Sequence, residues 1–181
     1  MPAATARSES EPKPTSRLNA ARSYVVSLDT NCGVIQIALS VRQAPITTSS
    51  FASLVTRGFF TGVPFTRIAA GFVIQGGDPT GTGGGGPGYQ VVEAPPANLK
   101  YTVGTVAMAK TGADPSGASG SQFFIVTGAG AASLPPQYAL LGHVVGGMQA
   151  VNAIAAIPSN PPQDGMPTVP VVISKATLTA K

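Results

Sequence analysis

Short apolar runs, punctuated by glycine and proline, set the pattern of this chain. Tyr24-Val25-Val26-Ser27-Leu28 leads into the turn-forming Asp29-Thr30-Asn31-Cys32-Gly33, and Val34-Ile35-Gln36-Ile37-Ala38-Leu39 follows. Partial alternation on both sides of such a turn predicts a strand-turn-strand unit, because a strand points successive side chains to opposite faces. Further short strands are expected near 64–69, 72–76, 102–109, 122–127 and 140–145, and a last one from Val169 to Leu178. Two stretches follow a helical period instead. Pro45 suits the first turn of a helix, and Ile46, Phe51, Leu54 and Val55 share one face before Gly58 ends it. Met148, Val151, Ile154 and Ala155 repeat the pattern ahead of Pro158. Eight strands and two helices suit a mainly β fold, a closed eight-stranded antiparallel β-barrel capped by two α-helices. The count alone does not single out one barrel family.

Composition narrows the picture. With 181 residues, 43% of them hydrophobic, the chain is long enough for one core. Its 22 glycines and 17 prolines favour turns over long helices. Residues 1–22, rich in Pro, Ser, Glu and Lys, read as a disordered tail or linker, and 23–181 as the single domain. Net charge is +4, with the basic residues scattered singly rather than clustered, so no nucleic-acid surface is expected. Cys32 is the only cysteine, which excludes an intrachain disulfide. Ile125 to Gln163 carries no formal charge, but Gly128, Gly130, Pro135, Pro136, Gly146, Gly147 and Pro158 interrupt it, so no membrane segment is expected. The first 22 residues lack the apolar stretch of a secretory signal. A cytoplasmic protein is the expectation, the alternative being the soluble domain of an exported or membrane-anchored protein.

The most informative stretch is Phe65-Thr66-Arg67-Ile68-Ala69-Ala70-Gly71-Phe72-Val73-Ile74-Gln75-Gly76-Gly77-Asp78, closed by a glycine-rich turn. A second patch of the same character is Ser121-Gln122-Phe123-Phe124-Ile125. Together these motifs resemble the signature of the cyclophilins, the peptidyl-prolyl cis-trans isomerases, and the resemblance runs from about Tyr24 to Leu178. It implies an enzyme that accelerates rotation about X-Pro bonds in protein folding. Its implied partners are proline-containing peptides and unfolded proteins, and it implies no cofactor and no metal. Residue by residue, it implies that Arg67 is the donor to the prolyl nitrogen. Phe72, Val73, Phe124 and Leu134 would line a proline pocket. Gln75 would hold the guanidinium and contact substrate, with Gln122 nearby. The backbone of Met108-Ala109-Lys110-Thr111 would pair with the residues before proline, and Tyr138 stands where many members have histidine.

Departures from the family pattern are also visible. Thr66 replaces a histidine, Val73 a methionine and Lys110 an asparagine, and the 111–120 loop is longer than usual. No tryptophan exists, and Ala132 or Ser133 stands where larger members place an indole. Cyclosporin binding is therefore expected to be weak, and the protein is expected to be a monomer. Outside the motif, Arg67 would read as an ordinary surface residue and Phe72, Phe124 and Leu134 as ordinary core. Gly83-Gly84-Gly85-Gly86-Pro87-Gly88 is read as a turn rather than a nucleotide loop, for want of a following helix. A single histidine, His143, supports neither a zinc site nor a hydrolytic triad. The alternative to the isomerase is a weakly active proline-peptide binding module or chaperone.

Overall fold

Strands β1 (Tyr24–Thr30) and β2 (Gly33–Leu39) form the expected hairpin, with Leu28 opposite Ile35 and Val26 opposite Ile37. The computed structural model describes residues 6–8 and 10–181. After the hairpin come helix α1 (Pro45–Thr56), β3 (Val63–Ala69), β4 (Val73–Gly76) and the short β5 (Val91–Val92). Next are β6 (Thr105–Met108), β7 (Ala118–Ser119), β8 (Phe123–Val126) and β9 (Leu140–Gly146). Helix α2 (Met148–Ala155), β10 (Ser159–Asn160), β11 (Asp164–Pro167) and β12 (Val172–Ala180) complete the chain. Hydrogen bonding runs β3-β12-β1-β2-β9-β6-β8-β4, and β4 returns to β3. The result is a closed, eight-stranded antiparallel barrel with two helices, as the sequence pattern predicts. Closure pairs each of these eight strands on both sides, except that β12 covers only Val63 and Pro64 of β3 and β11 covers Ile68 and Ala69.

The interior is one apolar cluster that includes Val26, Leu28, Ile35, Ile37, Ile68, Ile74, Val106 and Ile125. Phe123 sits among three other rings, at 5.6 Å from Phe51, 5.9 Å from Phe65 and 6.2 Å from Phe60, each edge-to-face. Such geometry sets ring edges against ring faces and favours one packing over others. α1 supplies Phe51 to this cluster, and α2 supplies Ala150, Val151 and Ile154.

Three local features differ from the sequence expectation. The last strand begins at Val172 rather than Val169, because Pro170 interrupts the run and Val169 is exposed. Helix α1 is buried on more than its apolar face, since Thr47, Thr48, Ser49 and Ser50 are covered too. Thr48 turns its hydroxyl to the Ala44 carbonyl at 2.7 Å, Ser50 meets the Tyr89 hydroxyl at 3.0 Å, and Ser49 accepts the Leu18 amide at 2.9 Å. Glu93 caps the helix, accepting the Ile46 and Thr47 amides at 3.0 and 2.8 Å. Finally, residues 10–22 contain no helix or strand, yet they lie along the body instead of leaving it as a free tail. Leu18 packs on the core, and the Arg7 and Glu11 amides reach the Pro79 and Pro87 carbonyls, both at 2.9 Å. Residues 1–5 and 9 of the stretch expected to be a tail lie outside the described residues.

Candidate active site

The site forms on the outer face of the barrel. In register, Arg67 on β3 lies opposite Gln75 on β4, Gln75 opposite Phe124 on β8, and Phe124 opposite Ala107 on β6. Directly opposed residues of antiparallel strands share a face, so these four form one row. An irregularity in the β3–β4 pairing at Thr66 makes the row possible. Without that extra residue, Phe65 and Arg67 would point the same way. With it, Phe65 enters the interior and Arg67 faces out. The same alternation separates Phe123, inside, from Phe124, outside.

A second apolar cluster lies under this outer row. Ala69, Val73, Tyr101, Ala107, Phe124, Val126 and Ala131 are buried in it, and Phe72, Leu99, Ala109, Leu134 and Tyr138 pack against them. The loop carrying Leu134 is pinned to the turn carrying Phe72: the Thr127 and Gly130 amides donate to the Phe72 and Gly71 carbonyls at 2.9 and 3.2 Å. Gly128 permits this, because a Cβ there would overlap the Gly71 carbonyl. Tyr101 is fully buried and was missed by sequence reading. Its hydroxyl donates to the Tyr138 carbonyl at 2.7 Å and accepts the Tyr138 amide at 3.0 Å. Tyr138 then stands edge-on to Phe124 at 5.4 Å, with the Lys110 ammonium 5.7 Å from its ring centre.

Arg67, Phe72, Val73, Gln75, Ala109, Lys110, Phe124, Leu134 and Tyr138 line one cavity of about 100 Å³. It is well below the roughly 300–1,000 Å³ of a drug-sized pocket, so it suits one small apolar ring. Met108, expected to meet substrate through its backbone, turns its side chain into the barrel interior. Its amide and that of Ala109 already donate to the Ala139 and Gln122 carbonyls, both at 2.9 Å, and the Thr111 amide donates to Asp114 at 2.8 Å. Thr111 and Gln122 line a larger neighbouring cavity of about 510 Å³, whose other wall is the 83–90 glycine loop. Gln75, Ala109 and Lys110 border both. From the sequence, the glycine run is expected only to turn the chain. In the structure the buried Asp78 organises that turn, accepting the Thr80 and Gly83 amides at 2.7 and 2.6 Å.

Gln75 does not hold the guanidinium. Its amide donates to the Gln122 side chain at 3.0 Å, and Gln122 in turn donates to the Gly83 and Gly85 carbonyls, both at 2.9 Å. Arg67 pairs instead with Asp164, through Nε to Oδ1 at 2.6 Å and Nη2 to Oδ2 at 2.8 Å. That hydrogen bonding raises the Arg67 pKa despite partial burial and lowers that of Asp164. His143 is exposed on β9 and lines neither cavity. Among the described residues, no cluster of three His, Cys, Asp or Glu side chains is placed to hold a metal ion. Nor is any helix among them long and apolar enough to cross a membrane.

Residues 25–178 match the sequence family described as cyclophilin type peptidyl-prolyl cis-trans isomerase/CLD. The chain is 42% identical over 139 residues to peptidyl-prolyl cis-trans isomerase-like 1 of Mus musculus, covering 75% of this chain and 81% of the mouse protein. It is 36% identical over 176 residues to peptidyl-prolyl cis-trans isomerase B of Streptomyces anulatus, covering 87% and 98%. The fold matches the crystal structure of a cyclophilin type isomerase of Cryptosporidium parvum with TM-score 0.75 at 32% identity, over 88% of this chain and 99% of that one. A crystal structure of the same parasite protein in the presence of the dipeptide Ala-Pro matches with TM-score 0.75 at 30% identity, over 87% and 99%.

Proposed function

The chain belongs to the cyclophilin-type peptidyl-prolyl cis-trans isomerases, and from that premise we propose that Arg67 stabilises the twisted X-Pro amide while the cavity beside it holds the proline ring. The observation that carries this reading is the Arg67 guanidinium at the wall of a small cavity that Phe72, Val73, Phe124 and Leu134 line together with Gln75, Ala109, Lys110 and Tyr138.

The cis and trans forms of an X-Pro bond are close in energy but separated by a barrier of about 18–20 kcal/mol. Crossing it twists the C–N bond, breaks amide resonance and returns a lone pair to the prolyl nitrogen. No bond to carbon forms or breaks, so no nucleophile is needed. The ring seats against Phe124 and Leu134 and resists rotation, while the chain on the other side of the bond turns. An Arg67 N–H directed at the nitrogen bonds weakly to the planar amide and strongly to the pyramidal one. It thus binds the transition state better than the ground state. Lowering the barrier by about 7 kcal/mol accelerates the reaction roughly 10⁵-fold.

Substrate residues before proline run past Ala109 and Lys110 toward the larger cavity. The Met108, Ala109 and Thr111 amides are already engaged, and the Thr111 carbonyl accepts the Asp114 amide and the Lys110 ammonium, so the Lys110 amide and the Ala109 and Lys110 carbonyls are the groups left to meet a peptide backbone. The groove is complete within one chain, which supports a monomer acting on proline-containing segments of unfolded proteins. Arg67→Ala should lower turnover of an Ala-Pro peptide at least tenfold with the fold intact, read by NMR exchange or a protease-coupled assay. Arg67→Lys should recover little, because an ammonium cannot reproduce the planar fork. Wild-type turnover in folded Arg67→Ala protein removes Arg67 from the mechanism.

A further inference from the structure

We propose that Asp164 is a positioning residue for catalysis: it fixes the plane of the Arg67 guanidinium and so decides which of its N–H groups reach the prolyl nitrogen. A guanidinium carries five N–H donors, one on Nε and two on each Nη. Asp164 takes the Nε–H and one Nη2–H in a bidentate pair at 2.6 and 2.8 Å. The two Nη1 donors and the second Nη2 donor are left for the cavity. Arg67 lines that cavity and Asp164 does not, so the carboxylate acts only through the arginine.

The carboxylate is itself well placed. Asp164 lies opposite Ala69 and Gly165 opposite Ile68, which hooks the β10–β11 hairpin onto the strand that carries Arg67. The Ala70 amide ties to the Gln163 carbonyl at 2.8 Å beside it. A Cβ on Gly165 would collide with the backbone of Asn160, so the hairpin closes tightly there. Both partners of the ion pair are well exposed, at 36% and 55% of the side chain. Exposed pairs of this kind add little to global stability. The effect of this one is therefore expected in turnover, where a small misplacement of a catalytic donor is costly.

This inference rests on Arg67 being the donor, and the test separates the two. Turnover of an Ala-Pro peptide is measured for wild type, Asp164→Ala, Asp164→Asn, Arg67→Ala and the Asp164→Ala/Arg67→Ala double variant. Asp164→Ala should lower kcat roughly three- to thirtyfold, within the range of coupling between contacting residues, with KM and melting temperature nearly unchanged. Asp164→Asn, which keeps one acceptor for Nε, should lose less. In the Arg67→Ala background, removing Asp164 should change nothing further. If Arg67→Ala is impaired but Asp164→Ala turns over like wild type or faster, the positioning role is overturned while the donor reading stands. An equal loss on removing Asp164 in both backgrounds also overturns it, since Asp164 would then act on the fold. Should Asp164→Ala fail to fold, Asp164→Asn carries the test: a loss that vanishes in the Arg67→Ala background supports positioning, and a loss that persists overturns it.

Discussion

Two adjacent phenylalanines divide structure from function at the scale of single residues. Phe123 points into the barrel and packs against Phe51, Phe60 and Phe65, whereas Phe124 points out and walls the cavity beside Tyr138. Truncating either to alanine should cost stability on the order of 3–5 kcal/mol, because both are buried. Only Phe124→Ala should also weaken peptide binding and turnover when assayed well below its melting temperature, since the proline ring loses a wall. Equal activity losses in the two variants would place Phe124 with the core and not with the groove.

At the scale of elements, the 78–85 turn depends on a carboxylate that composition does not advertise. Burial alone would raise the Asp78 pKa, but hydrogen bonds from the Thr80 hydroxyl and the Gly85, Thr80 and Gly83 amides more than offset it and hold the pKa low. Gly85 is needed for this arrangement, as a Cβ there would overlap the Asp78 carboxylate. A folded-state pKa below the unfolded value means the contribution is present above the unfolded carboxylate pKa of about 3.9. It is lost as pH falls through the lower folded value. Melting temperature should therefore fall more steeply below about pH 4 in wild type than in Asp78→Asn. At neutral pH, Asp78→Ala should lose about 1–3 kcal/mol, because the Thr80, Gly83 and Gly85 amides lose a charged acceptor. A pH profile in Asp78→Asn identical to wild type would assign the acid sensitivity to other carboxylates. Asp164 titrates in the same direction, since its pKa is lowered by the Arg67 pair.

For the molecule as a whole, the barrel interior supplies stability and its outer face supplies the site, through two apolar clusters that share strands but not faces. A small substrate needs only the 100 Å³ cavity. A large ligand such as cyclosporin is expected to use the rim as well, where Ala132 and Ser133 are exposed and no indole is available. Losing one directed hydrogen bond, worth about 0.5–1.5 kcal/mol, and part of an aromatic surface at about 25 cal/mol per Å² exceeds the 1.4 kcal/mol that equals tenfold. Inhibition of peptide isomerisation should thus require at least tenfold more cyclosporin than for a tryptophan-bearing cyclophilin. Tryptophan at 132 or 133 should restore sensitivity. Tight inhibition of the unmodified protein would mean that another residue replaces the indole.

The sequence by itself determined the eight barrel strands, the two helices and most of the small cavity's lining. The strands and helices follow from local order, a two-residue alternation or helical period with glycine and proline at the turns, whereas the lining was legible only through the resemblance of two motifs to the cyclophilins. Only the tertiary structure decided which way several of those residues face and what they meet. The extra residue at Thr66 turns Phe65 inward and Arg67 outward, and it is defined only against the partner strand. Met108 belongs to the interior, although it sits in the same run as Ala109 and Lys110. Asp164 reaches Arg67 across 97 residues of chain, because a late hairpin adds to the edge of β3. Residues 10–22 lie on the body because the Leu18 amide meets Ser49 on α1, its side chain packs on the core, and the Glu11 amide meets the Pro87 carbonyl. Each of these is a pairing between distant segments, and chain order records periodicity and turns but not the partner across the gap.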